Sequence, residues 1–149
     1  MITKLGKQKL EQQILDLQKE LERTFDERNK AAAEGDLKEN SAYIYLGEQA
    51  QLLYTQIEEA KIDLKHSNVQ EAPTKTDKIS FGHKVIIRFE SDKREISITL
   101  VGKNDARLKP DWISCESPLG IALLDKSKSD KVLVNDQPVT ILDISIGEI

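Results

Sequence analysis

Two apolar stripes mirror each other about position 37, and they constrain the fold of this chain more than any other feature. Leu10, Ile14, Leu17 and Leu21 lead up to that point; Leu53, Ile57, Ala60 and Leu64 lead away from it. Leu10 stands as far before Leu37 as Leu64 stands after it, and Ile14 with Ala60, Leu17 with Ile57 and Leu21 with Leu53 pair likewise. Alternating steps of three and four, in mirror order, are what two antiparallel helices need to zip along one seam. The spacing predicts a helical hairpin whose first arm covers residues 8–34, with Phe25 as the next seam residue. At about 1.5 Å per residue that arm is roughly 40 Å long. An exposed helix pair of that length encloses no pocket of its own, and its use is reach.

The bend is expected in Glu34-Gly35-Asp36-Leu37-Lys38-Glu39-Asn40-Ser41-Ala42-Tyr43. Gly35 tolerates the positive φ that ends a helix, and Asp36 can accept N–H bonds where the next helix begins. Asp36 and Glu39 are three apart, so both carboxylates can face one side. Ala31-Ala32-Ala33 narrows the seam before the bend, with Ala32 mirroring Ala42. Tyr43 mirrors Ala31, and its ring is expected over that alanine. Thr3 can cap the first helix. The charges at Lys19, Glu20, Glu22, Arg23, Asp26, Glu27 and Arg28 read as a solvated helix face. Gly47, inside the second helix, costs about 1 kcal/mol relative to alanine, and nothing in the sequence accounts for it.

Beyond residue 66 the period changes. Residues 67–77 are polar, without periodicity, and contain Pro73, which marks a linker. Val85, Ile87 and Phe89 alternate with Lys84, Ile86 and Arg88, and residues 96–100 alternate again; a turn near Ser91-Asp92-Lys93 joins two strands. Trp112-Ile113-Ser114-Cys115 is a shorter strand, and 131–134 and 139–142 form a hairpin about Asn135-Asp136-Gln137-Pro138. Ser117-Pro118 opens a short helix over 117–124, with serine at the N-cap and proline at the first helical position. The fold expected is α+β: a helical hairpin over 1–70, a linker over 71–78, and over 79–149 a small, mostly antiparallel sheet with one short helix.

Several function classes are excluded. Residues 1–70 carry 10 Lys and Arg against 13 Asp and Glu, and residues 71–149 carry 12 against 13. Neither half has the basic excess that unaided phosphate binding requires. No run of 18 apolar residues exists and the N-terminus lacks an apolar leader, so no membrane span or signal peptide is expected. A lone cysteine, Cys115, suits a reducing cytoplasm. Two histidines and one cysteine, widely spaced, make no zinc site, and no phosphate loop or nucleophile elbow appears. His83 reads as ordinary surface or strand edge, and Ser117 as a helix cap.

Asp36 and Glu39 remain, with two readings open. Acids in the first turn of a helix meet the positive end of its dipole, which is a structural use. Alternatively, two carboxylates at a bare fold-back point make half of a magnesium site, since Mg²⁺ takes one or two protein carboxylates together with waters and substrate phosphates. Such a half-site works only where another protein supplies the rest.

Thr3-x-x-Gly6-x-x-x-Leu10, Gly35-Asp36-Leu37-Lys38-Glu39-Asn40 with Tyr43 and Glu48-Gln49, Phe81-Gly82 with Val85, and Ser117-Pro118-x-Gly120-x-Ala122-Leu123 resemble the bacterial Gre transcript-cleavage factors. The resemblance runs in order through nearly the whole chain. It implies a coiled-coil hairpin and an FKBP-like C-terminal domain. It also implies RNA polymerase as partner: the globular domain docks at the rim of the secondary channel, the hairpin enters, and the polymerase cleaves backtracked RNA. Asp36 and Glu39 match the tip acids that help hold a catalytic Mg²⁺ jointly with the polymerase. Leu37, Asn40, Ser41 and Tyr43 fall in the supporting segment, and Glu116, Ser117 and Pro118 match the docking loop. The chain departs from the family at Gly47, where arginine often stands within a basic patch. Its hairpin is net acidic, although Arg23, Arg28, Lys30 and Lys38 could line one side, so short backtracked RNA is the expected target.

The resemblance implies a cytoplasmic monomer, without enzymatic turnover of its own, that stimulates the polymerase's endonuclease. The alternatives are a channel-binding regulator that inhibits without promoting cleavage, and an interaction hairpin resembling a chaperone arm.

Overall fold

The computed structural model describes residues 1–35 and 40–149. Asp36, Leu37, Lys38 and Glu39 lie outside the described residues. The elements are α1 (Lys4–Ala33), α2 (Ser41–Lys65), β1 (His83–Phe89), β2 (Glu95–Val101), β3 (Trp112–Ser114), α3 (Pro118–Leu123), β4 (Lys131–Val134) and β5 (Gln137–Ile146). They form two compact units: residues 8–66, and residues 1–7 together with 67–149. The first seven residues thus belong with the sheet: Ile2 bridges Val69, with Ile2 N donating to Asn68 O and Gln70 N to Ile2 O, each at 2.9 Å.

In the helical unit the seam is where the apolar spacing puts it. Leu10, Ile14 and Ala31 of α1 and Ala50, Leu53, Ile57 and Ala60 of α2 are buried, while Leu17, Leu21 and Leu64 are half-buried. Phe25 does not join them; it is 45% exposed, and Thr24 is buried in its place. The cause is the period. After steps of four, three and four from Leu10 to Leu21, another four would carry the stripe around the helix. A step of three to Thr24, then Arg28 and Ala31, keeps the 3.5-residue average that a paired seam demands. The threonine satisfies its hydroxyl locally, donating to Glu20 O at 2.8 Å. Ala42 is exposed as well, so Ala31 rather than an Ala32–Ala42 pair supplies the small side chain near the helix ends.

The other unit is a five-stranded sheet in the order β3-β2-β1-β5-β4. All neighbours are antiparallel except β2 and β3, which run parallel, so the sheet is mixed. Val85 and Ile87 point into the core as their alternation requires, where they are buried with Leu100, Trp112, Leu123, Val139 and Ile141. The register between β1 and β5 shifts between Ile86 and Ile87, passing over Leu142. The last hairpin is tighter than its sequence suggests. Asn135 and Asp136 both adopt positive φ, 50° and 65°, as a two-residue turn needs. Gln137 and Pro138 therefore belong to β5 rather than to the turn, paired with Val134 and Leu133.

Among the described residues no helix is long and apolar enough to cross a membrane.

Candidate functional site

The described ends of the segment that carries Asp36 and Glu39 are tied by one side chain. Asn40 is the N-cap of α2: its Oδ1 accepts from Tyr43 N at 3.1 Å. Its Nδ2 reaches back to donate to Ala31 O, in the last turn of α1, at 2.7 Å. One amide thus satisfies an orphan donor of one helix and adds a second bond to a terminal carbonyl of the other, which also accepts from Glu34 N at 3.2 Å. The N-cap falls four residues after Asp36, and the first turn of α2 contains no acid. The N-cap position itself is held by Asn40. The two acids, with Leu37, fall on residues outside the described ones. Ser41 opens α2 and is exposed.

Tyr43 is half-buried, and the group seen over its ring is a cation. The Arg28 guanidinium lies 4.1 Å from the ring centroid, a cation–π contact. Gly47 lies against the same guanidinium: a Cβ there would stand 3.1–3.2 Å from its Nη2, Cζ and Nε. Among the described residues the buried Nε of Arg28 has no hydrogen-bond partner. Arg28 therefore occupies the seam, not a solvated face, and the glycine makes room for it. Charge alone hid this, because a cation at a seam position reads like its exposed neighbours unless the 3.5-residue period is carried through Thr24.

In the sheet unit, Ser117 caps α3, accepting from Gly120 N at 3.0 Å and donating to Ser114 O at 2.7 Å. Its hydroxyl is committed to structure. Glu116 and Pro118 are exposed beside it. Gly120 is required, since a Cβ would run into Ser114 O and the Cys115 backbone. Periodicity does not single out two exposed apolar side chains: Ile121 of α3 and Leu133 of β4, 63% and 66% exposed, on elements that pack together. Cys115 is buried, and desolvation pushes its thiol up, which makes it inert.

His83 is not at the surface as expected; it is 1% exposed. Ser80 N donates to its Nδ1 at 2.9 Å, so Nε2 carries the proton and donates to Lys75 O at 2.6 Å. Both ring nitrogens are spent holding the segment before β1. Thr3 and Asp105 form a second buried polar knot. Asp105 accepts from Thr3 N and Gly102 N at 3.0 Å and from Thr3 Oγ1 at 2.7 Å. Thr3 Oγ1 in turn accepts from Gly6 N, capping α1. Among the described residues no group of three or more His, Cys, Asp or Glu side chains gathers as a metal would need.

Comparison with known proteins accounts for both units. Residues 1–69 match the family "Transcription elongation factor, N-terminal", and residues 73–146 match "Transcription elongation factor, GreA/GreB, C-term". The chain is similar to transcription elongation factor GreA of Maridesulfovibrio salexigens, 33% identical over 135 residues, covering 90% of this chain and 84% of that one. It is similar as well to transcription elongation factor GreA of Clostridium acetobutylicum, 34% identical over 137 residues, covering 91% and 87%. The chain is also similar to a crystal structure of GreA factor homolog 1 (Gfh1) of Thermus thermophilus, at 19% identity over 97% of each chain with a TM-score of 0.44. With both family models matched, and relatives a third identical over nine-tenths of its length, the chain belongs to the GreA/GreB family of transcription elongation factors.

Proposed function

We propose that this chain binds RNA polymerase, inserts the α1–α2 hairpin into the secondary channel and stimulates the polymerase's own cleavage of backtracked RNA. Asp36 and Glu39 are the groups it delivers. The observation that carries the reading is the cap: Asn40 holds the start of α2, and no acid stands in its first turn. The N-cap of α2 is supplied by Asn40, so that position does not call on either acid. Leu37, Ser41 and Tyr43 belong to the supporting segment, and Glu116, Ser117 and Pro118, with α3 behind them, form the docking loop.

Magnesium fits the chemistry of this donor set. Asp36 and Glu39 offer the hard oxygen ligands Mg²⁺ prefers, and two are too few to hold it without further carboxylates and phosphate oxygens from the polymerase–RNA complex. When so held, the ion supplies Lewis acidity that makes a water nucleophilic at neutral pH. The chain's own part is to bind, and to bring two negative oxygens to one place. It turns nothing over alone.

The test is RNA release from a stalled, backtracked elongation complex, with and without the protein and its Asp36→Ala/Glu39→Ala variant. Stimulated release that the variant loses while still binding polymerase is the expected result. Polymerase binding without any release by the parent would leave the channel-blocking regulator instead.

A further inference from the structure

We propose that Arg28, seated between Tyr43 and Gly47, locks the register of α1 against α2 and is a positioning residue for Asp36 and Glu39. The proposal rests on the function proposed above. Three observations converge on it. Arg28 stands on the seam, in the run of three- and four-residue steps that joins Thr24 to Ala31. Its guanidinium lies over the Tyr43 ring, 4.1 Å from the centroid, and Gly47 beside it has no side chain to intrude. Its Nε is buried without a partner among the described residues, so the position costs stability that an apolar side chain would not.

A polar group at a seam position is a known device for choosing one register at the expense of stability. The socket here is specific to one alignment. If α2 slid by one seam step along α1, the guanidinium would meet Ala50, or Tyr43 itself, where it now meets Gly47. A Cβ at that place stands within 3.1–3.2 Å of three guanidinium atoms, tighter than ordinary packing allows. Apart from Thr24, whose hydroxyl is satisfied within its own helix, the rest of the seam is leucine, isoleucine and alanine, and discriminates poorly between alignments one turn apart. Register matters because a slip would draw residues of one helix into the connection and displace whatever the connection presents. Gly47 thereby gains its explanation: it is the empty half of the lock.

The experiment pairs a register readout with the cleavage assay, in a Cys115→Ala background. Cysteines at Thr24 and Ala50, both buried on mirrored seam positions, report the observed register; Thr24→Cys with Leu46→Cys or with Leu53→Cys reports a slip of one turn. With Arg28 present only the 24/50 pair should oxidise to a disulfide. Arg28→Leu should let a slipped pair close as well, and should lower RNA release on the order of tenfold or more. Its melting temperature should be unchanged or higher. That combination separates the lock from a merely stabilising role, in which activity follows melting temperature. An Arg28→Leu protein that closes only the 24/50 pair overturns the proposal, whatever its activity. Should the Arg28 protein itself fail to stimulate cleavage, the proposed function fails, and the disulfide pattern still upholds or overturns the lock.

Discussion

The Thr3 hydroxyl donates to the Asp105 carboxylate at 2.7 Å across 102 positions of sequence, while the same oxygen accepts from Gly6 N and starts α1. The arrangement explains why glycine stands at position 6: a Cβ there would overlap Asp105 Oδ1. Asp105→Ala strands three buried donors, at Thr3 N, Thr3 Oγ1 and Gly102 N, and should destabilise the sheet unit by about 3 kcal/mol or more. Gly6→Ala should be strongly destabilising in the parent and less so beside Asp105→Ala, because the overlap with the carboxylate is then gone and only Ile2 Cγ1, at 2.9 Å, still crowds the methyl group. Urea unfolding of the two single variants and the double variant measures that coupling.

Asn40 and the two acids should separate cleanly in stability and activity. Asn40→Ala removes both the cap and the bond to Ala31 O, and should cost about 1–2 kcal/mol. Asp36→Ala/Glu39→Ala should change stability by less than about 0.5 kcal/mol while abolishing stimulated RNA release. A capping-sized loss in the acid variant, seen in thermal melts, would return those residues to a structural role.

Glu90 gives the sheet unit a pH dependence of defined sign. The Lys93 ammonium at 2.7 Å, then the Thr140 hydroxyl at 2.6 Å, and also Arg88 at 3.1 Å, hold its carboxyl down from 4.5 to about 2. A carboxylate whose folded value is depressed contributes stability that is fully present above about pH 4.5 and is lost as the pH falls toward 2. The melting temperature of Glu90→Gln should therefore lie below the parent's at neutral pH and converge on it in acid. A gap that stays constant from neutral pH to about 2.5 would show that the ion cluster contributes nothing.

Gly47→Ala should show how closely the glycine is matched to Arg28. Alanine in a helix interior gains about 1 kcal/mol over glycine, but here its methyl group crowds the guanidinium at 3.1–3.2 Å. The gain should be small or reversed with Arg28 present and should appear in full beside Arg28→Ala. Thermal melts of the four proteins measure the difference.

Much of this molecule is legible in the order of its residues. The mirrored seam, the Ser117 cap, the alternation of β1 and the position of α3 follow from local rules, because helix pairing and sheet faces repeat at periods written directly in the residues. The family resemblance is carried by short motifs of the same kind, and the matched families agree with it. Other features depend on partners far away in sequence. Nothing near Gly6 announces Asp105, nothing near Gly47 announces Arg28, and His83 looks like a surface residue until the segment ending at Ser80 folds over it. Phe25 and Thr24 differ by one position, and only the facing helix decides which is buried, since each satisfies a helical period by itself. Periodicity determined which faces would meet; close packing between distant side chains decided which residues those faces could tolerate.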